Sequence, residues 1–365
     1  MKEYLTESIR NVALASHSSA GKTMLTEAFL HFSGGTTRMG KIDDGTTTSD
    51  FDEEEIRRGI SIYTSVIPVE YNNVKINFLD TPGYTDFVGE VISAMRVADS
   101  AIVLVDSVNG MEVGTELGLR YAGEFKLPTM LVINKMEREN ANFQKALASV
   151  EAGSDVRLIP VQLPWGEKAA FQGVIDLLTM KAYKGDGKTA VEIPADLKDA
   201  AEEARGKLTE AAAEGDDTLL EKYLDTGELS SDEILKGLRS VIFSRSYIPV
   251  FVSAGVPEIG IKLLLDAVVS LLPSPADAPA VSAEVKAGKE DVVADDKKPL
   301  AIYVWKTTAD PFVGKQTFFR VYSGMVAPDT RVWNVQKNME ERIGTVYIPR
   351  GKEMLPIKSV HAGDL

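Results

Sequence analysis

The sequence contains no cysteine, and its three histidines, His17, His31 and His361, are widely separated. A disulfide framework is therefore excluded, and a zinc site of cysteine and histidine has no donors to draw on. Any metal should be a hard ion held by oxygen. Long apolar runs are also missing, and none approaches the length that spans a bilayer. The opening MKEYLTESIR places charged and polar residues where a secretory leader needs an apolar core. These absences predict a soluble, cytoplasmic protein with no membrane partner. Positive charge is in deficit too. At a net charge of -14 the chain would repel bare phosphate backbone, which argues against autonomous binding of DNA or RNA by counterion release. A monomer is expected.

What is present is a change of pattern along 365 residues, enough for two or three domains. The apolar runs NVALAS, KINFLD, AIVLVD and TMLVIN alternate with helix-like segments. That alternation predicts βαβ units, hence an α/β domain with a mainly parallel sheet and helices on both faces. A fifth strand, YIPVFVSAG, comes only near residue 250, and the helix after it stops at Pro273 and Pro275. The stretch between must be an insertion. In it Leu197, Ala201, Ala204, Leu208 and Ala211 follow helical spacing, and Ser230 with Glu233 forms a capping box. The expected division is 1–158 plus 247–275 for the α/β domain, 159–246 for an α+β insertion subdomain and 276–298 for a polar linker. Residues 299–365 read as close-set strands (LAIYVWKTT, QTFFRVYSG, TRVWNV, RIGTVYI) of a small antiparallel barrel or sandwich, with Trp305 and Trp333 filling its core. A closed barrel would not end at HAGDL, where a strand is left unpaired, so this domain is expected to be incomplete and the chain a fragment.

Three strand-end motifs carry chemistry. Ser16-His17-Ser18-Ser19-Ala20-Gly21-Lys22-Thr23 joins an apolar strand to a helix. Such a loop aims backbone N–H groups and a helix N-terminus at phosphate, Lys22 reaches the outer phosphates, and Thr23 offers a hydroxyl to Mg2+. The usual first glycine is replaced by Ser16. Asp80-Thr81-Pro82-Gly83 ends a buried strand, so Asp80 can support Mg2+ through water and Gly83 can present its N–H to a terminal phosphate. Asn134-Lys135-Met136-Glu137 follows another strand. Its amide and carboxylate can read a guanine edge while the Lys135 stem packs on the ring. Each motif alone could be an ordinary turn. Together, at one edge of one predicted sheet, they indicate a magnesium nucleotide site.

These residues resemble the guanine-nucleotide motifs of translational GTPases, and of elongation factor G and its non-housekeeping relatives in particular. SHSSAGKT is similar to the family's first motif, Arg58-Gly59-Ile60-Ser61-Ile62 to its second, DTPGY to its third, NKME to its fourth and Ser253-Ala254-Gly255 to its fifth. VQLPWGEKAAFQGVIDLLTMKAY resembles the start of the elongation factor G insertion, and ADPFVGKQTFFRVYSG the opening of its barrel domain. The resemblance implies binding of GTP and GDP with Mg2+, docking on the ribosome and hydrolysis of GTP there. It places Lys22 at the phosphates, Thr23 and Ser61 on Mg2+ with Asp80 behind it, and Asn134, Glu137 and Ala254 at guanine. Switch I, roughly residues 36 to 62, is expected to be mobile when the terminal phosphate is absent.

Four positions depart from the family pattern. Ser19 stands where Asp is usual, Ser61 where Thr is usual, and Glu137 where Asp is usual, which loosens the expected guanine specificity. Tyr84 replaces the histidine that positions the attacking water. A neutral phenol is a poor general base but still hydrogen-bonds water, so the exchange should cost rate more than binding. DTPGY together with Ser61-Ile62-Tyr63-Thr64-Ser65 favours the elongation factor G-like branch, with Tyr84, Gly83 and Lys22 as the catalytic set. The alternative is a GTP-gated ribosome-binding regulator that hydrolyses little. A GTP-driven subunit of sulfate activation is disfavoured by the insertion after residue 155.

Overall fold

The central strands are apolar at every position rather than at alternate ones, because helices cover both faces of their sheet. In this computed structural model, which describes residues 2–285, 288–310 and 314–365, β1 (Ile9–Ala15) is buried throughout and leads through a loop into α1 (Lys22–Phe32). A short α2 (Glu53–Arg58) precedes the hairpin of β2 (Ser65–Tyr71) and β3 (Val74–Asp80). Then follow α3 (Val88–Val97), β4 (Ser100–Asp106), α4 (Val113–Glu124), β5 (Thr129–Asn134), α5 (Phe143–Gly153) and β6 (Leu158–Pro160).

The inserted segment carries β7 (Gln162–Trp165), β8 (Gly173–Asp176), β9 (Lys181–Lys184) and β10 (Thr189–Val191), then α6 (Ala195–Ala213), α7 (Asp217–Thr226) and α8 (Ser231–Phe243). Its four strands form a separate antiparallel sheet in the order β10-β9-β8-β7. On α6 the predicted stripe is the packed face: Ala201, Leu208 and Ala211 are buried, with Leu197 and Ala204 half-buried against the same core. The capping box at α8 is present, with Ser230 Oγ accepting from Glu233 N and Glu233 Oε2 accepting from Ser230 N. Such a cap stabilises a helix by about 1 kcal/mol.

β11 (Ile248–Val252) and α9 (Ile261–Leu271) return to the first sheet, whose order is β2-β3-β1-β4-β5-β11-β6. All neighbours run parallel except β2 and β3, which pair antiparallel with Ser65 opposite Asp80 and a tight turn at Asn72 and Asn73, both at positive φ. Two edge strands correct the sequence reading. SVIPVEY forms β2, and LIP forms β6, so residues 158–160 belong to the main sheet instead of opening the insertion.

The expected linker also differs. Within 276–298, β12 (Val281–Val285) and β13 (Gly288–Val292) pair as a hairpin; VSAEV alternates over only five residues, and its partner GKEDV has no apolar alternation to mark it. Lys286 and Ala287 lie outside the described residues, as do Pro311, Phe312 and Val313 of the ADPFVG motif. From residue 301 the chain is all β: β14 (Ala301–Asp310) pairs with β15 (Gly314–Ser323), β16 (Arg331–Asn334) with β17 (Met339–Arg342), and β18 (Tyr347–Arg350) with β19 (Glu353–Pro356). These hairpins share a small core of Val321, Val326, Val346 and Val360. RIGTVYI, predicted as one strand, is divided between the end of β17 and the start of β18. Neither tryptophan fills the core of the β-rich region: Trp305 is half-buried against the α/β-domain cluster that includes α3, and Trp333 is 59% exposed. The last turn is seated against the main sheet. Asp364 is buried in an ion pair with Lys75 Nζ at 2.8 Å, and Asn11 Nδ2 donates to Gly363 O, seating the turn against β1 and β3.

Candidate nucleotide-binding site

The C-terminal ends of β1, β3, β5 and β11 open on one edge of the sheet, where a doubly wound fold leaves a crevice. Around it the loops form a cleft of about 540 Å³. Of the residues singled out in the sequence, Ser18, Ser19, Gly21, Lys22, Thr23, Ser61, Gly83, Tyr84, Asn134, Lys135, Glu137 and Gly255 line it. Ala20, Asp80, Ser253 and Ala254 are buried and do not line it, nor does the half-buried His17.

The loop after β1 is held in a shape that only small or unbranched residues accept. Ser19 and Gly21 have φ of 65° and 101°. A Cβ on Gly21 would stand 2.6 Å from Asn134 Nδ2. No side chain caps α1, so its first-turn N–H groups are free to meet an anion. Lys22 is buried; its Nζ donates to Ser16 Oγ at 2.9 Å and lies 3.4 Å from the carbonyls of Ser16 and His17. Burial pushes its pKa down to about 8, against the opposing pull of Asp80 and Asp50. His17 turns away from the cleft, its Nδ1 accepting from Gly114 N at 3.2 Å at the start of α4.

Next to Lys22, Thr23 Oγ1 and Ser61 Oγ approach to 3.2 Å across the cleft wall. Both carboxylate oxygens of Asp80 are buried without a hydrogen-bond partner, with the hydroxyls of Ser49 and Thr23 close enough to favour the anion. Sequence reasoning missed Asp50, which is buried beside Asp80 and Ser61. Desolvation, reinforced by Asp80, pushes the Asp50 pKa up to about 7, and desolvation pushes Asp80 up to about 6 against the pull of Lys22. Two buried glutamates support this wall. Glu27 accepts from Gly40 N and Thr48 N, and Glu55 accepts from Ile62 N and Tyr63 N. Asp50 sits in a polar stretch with no periodicity; the local signal near it is the Asp52–Glu55 capping box that starts α2.

On the opposite side, Asn134 is 1% exposed and ties three loops together. Its Nδ2 donates to Ala20 O at 3.0 Å, and its Oδ1 accepts from Ser253 Oγ at 3.0 Å and Gly255 N at 3.2 Å. Lys135, at φ 66°, pairs with Asp106 at 2.9 Å, which holds its stem close to the position a Gly21 Cβ would take. Glu137 Oε2 is buried without a partner. The N–H of Ala254, the group expected at the base, donates to Ile259 O at 3.1 Å. Gly83 packs against the first loop so closely that a Cβ would lie 2.7 Å from the Ser18 backbone and 2.8 Å from Lys22 Nζ. The Tyr84 ring is 43% exposed at the cleft mouth.

Raised carboxyl pKa values mean that the folded chain binds protons more tightly than the unfolded one, so this pair's contribution to stability is present at low pH and lost as pH rises from about 4 to about 7. Without nucleotide or divalent ion, Asp50→Asn is therefore expected to melt above the wild type at pH 8, with the gap shrinking or reversing near pH 5. Added Mg2+ and GDP should close the gap at pH 8. Melting curves across pH check this, and a wild type that gains on the variant as pH rises would contradict it.

The parallel sheet and the cleft at its C-terminal edge define a P-loop GTPase domain. The model of the Elongation factor Tu GTP binding domain matches residues 7–274, and the chain belongs to that family, the GTP-binding domain of translational GTPases. A crystal structure of a protein from Thermus thermophilus superposes with a TM-score of 0.85 at 31% identity, covering 98% of this chain and 52% of that one. The chain thus spans about half the length of that protein. Among the described residues no helix is long and apolar enough to cross a membrane.

Proposed function

We propose that the chain is the N-terminal part of an elongation factor G-like protein that binds GTP with Mg2+, docks on the ribosome and hydrolyses GTP there, slowly without it. The observation that carries this reading is a set of unsatisfied buried acceptors at one cleft: Glu137 Oε2 in its lining, and both oxygens of Asp80 directly behind the lining residues Lys22 and Thr23. A buried acceptor left bare costs about 1–3 kcal/mol, so an arrangement of this kind is explained by a ligand that supplies donors or a cation. Asn134 fixes the loops around guanine, Glu137 accepts from the base, and Lys22 neutralises the outer phosphates. Thr23 and Ser61 hold the metal, with Asp80 and the newly found Asp50 behind them; the ion supplies compensation for phosphate charge. Water attacks the terminal phosphorus, the bond to the bridging oxygen breaks, and GDP and phosphate leave. Gly83 places an N–H near the transferring group, and Tyr84 hydrogen-bonds the water. On this reading the GTP-binding domain is formed by 1–160 and 247–275, with the residues between as its insertion.

Calorimetry with GTP, GDP, ATP and XTP in Mg2+ tests the reading: guanine nucleotides should bind and ATP should not. Equal affinity for ATP would overturn the base assignment. The exposed Tyr84 favours a second reading, a GTP-gated regulator with little hydrolysis. Tyr84→His is expected to raise ribosome-stimulated turnover of the longer parent protein about tenfold or more, within the range of general acid–base contributions. An unchanged turnover number would remove Tyr84 from the rate argument.

A further inference from the structure

One amine from the β-rich region touches both segments that flank the metal side of the cleft. Lys306, on β14, has a side chain only 9% exposed. Its Nζ donates to Thr64 O at 2.8 Å and to Glu90 Oε2 at 3.0 Å, and it stands 5.2 Å from the centre of the Tyr63 ring. Thr64 lies three residues beyond Ser61, at the end of the segment that reaches Thr23. Glu90 lies on α3, seven residues beyond Gly83. These two segments are joined to each other as well. Thr64 N donates to Glu90 Oε2 at 2.7 Å and Thr64 Oγ1 donates to Glu90 O at 3.1 Å. Every polar group of Thr64 is thereby used, its carbonyl, among the described residues, by Lys306.

We propose that Lys306 is a positioning residue: it holds residues 61–64 and α3 in the joint arrangement that brings Ser61 to Thr23, and so sets the preference for nucleoside triphosphate over diphosphate. This rests on the nucleotide reading given above. The physical reason is linkage. Only the triphosphate has a terminal group for both segments to grip, so a residue that stabilises their gripping arrangement raises triphosphate affinity and leaves diphosphate affinity nearly unchanged. Removing the amine leaves a half-buried carboxylate with one donor fewer and a carbonyl with none, which favours separation of the two segments. By reciprocity, a bound triphosphate tightens the contact of β14 with α3. Trp305, next in sequence and packed in the cluster that includes α3, is positioned to report that change.

The test uses the full chain, with Lys306→Met and, as a second variant, Glu90→Gln, alone and combined. Affinities for GDP and for a non-hydrolysable GTP analogue are measured in Mg2+, with Trp305 emission followed in Trp165→Phe, Trp333→Phe protein. Lys306→Met is expected to weaken the analogue about tenfold and GDP less than twofold, and to remove the analogue-induced emission change. In the Glu90→Gln background, its effect should shrink severalfold because the two groups act through one contact. A role confined to folding stability would lower the melting temperature while leaving the analogue-to-GDP ratio intact, and that result would overturn the proposal. Failure of the wild type to bind either nucleotide would instead overturn the nucleotide reading.

Discussion

Lys22→Ala is expected to weaken nucleotide binding by more than a hundredfold. The Lys22 ammonium is the cation that balances Asp50 and Asp80 within a buried wall, and a triphosphate adds further negative charge against the same wall. Removing one member of a buried charge group costs on the order of 3–5 kcal/mol, which is two to four decades in Kd. Part of the cost falls on the free fold, where Asp50 and Asp80 lose their cation, so affinities are compared well below the melting temperature, with the loops still held by contacts that do not involve Lys22. A proton should also accompany binding. The Lys22 pKa is pushed down to about 8 in the free protein, and phosphate would pull it back up, so above pH 8 binding takes up a proton. Titrations in buffers of different ionisation enthalpy would detect that uptake, and a Lys22→Ala protein that binds GDP normally would show that the loop is misassigned.

Asn134→Ala is expected to cost stability and affinity together. Its amide, 1% exposed at the base of the cleft, satisfies Ala20 O, Ser253 Oγ and Gly255 N. Alanine leaves all three groups unpaired, a loss of about 3 kcal/mol or more. For a domain of this size that lowers the melting temperature by roughly 6–12 °C. The three loops converge on Asn134, so their separation should also weaken guanine nucleotides at least tenfold, and calorimetry at a temperature well below melting separates the two effects. Full affinity in a destabilised variant would mean that Asn134 serves the fold alone.

Much of this was readable before any coordinates. Strands buried on both faces announce themselves as unbroken apolar runs, which is why β1, β3, β4, β5 and β11 were found, and the loops at their ends carried the motifs. The edge strands β2 and β6 were harder: one contains Pro68, and the other is three residues long with a proline at its end. The insertion sheet was lost for a similar reason, since strands of three or four residues interrupted by Pro164 or Gly173 leave too short a pattern to count. The site was legible where chemistry requires a fixed order of residues, as in the loop before Lys22. Asp50, Glu27 and Glu55 were not, because each works through groups that no local pattern marks: Asp80 for the first, backbone N–H groups of Gly40 and Thr48 for the second, and those of Ile62 and Tyr63, within an irregular loop, for the third. Trp333 failed as a core residue because large aromatics also occur on exposed hairpins, and alternation in RVWN does not say which face is inside.

The antiparallel ladder between β2 and β3 works as a fixed gauge for the wall of the cleft where Ser61 meets Thr23. Ser65 faces Asp80, so chain length between Ser61 and Ser65 sets how far Ser61 reaches toward Thr23. One added residue there would displace the hydroxyl by about 3.3 Å, enough to part it from Thr23, or turn it to the opposite face. The distal Asn72–Asn73 bend carries no such demand. Tolerance to length change along this hairpin should therefore be steeply polarised, generous at the bend and close to nil at the end that meets Asp80.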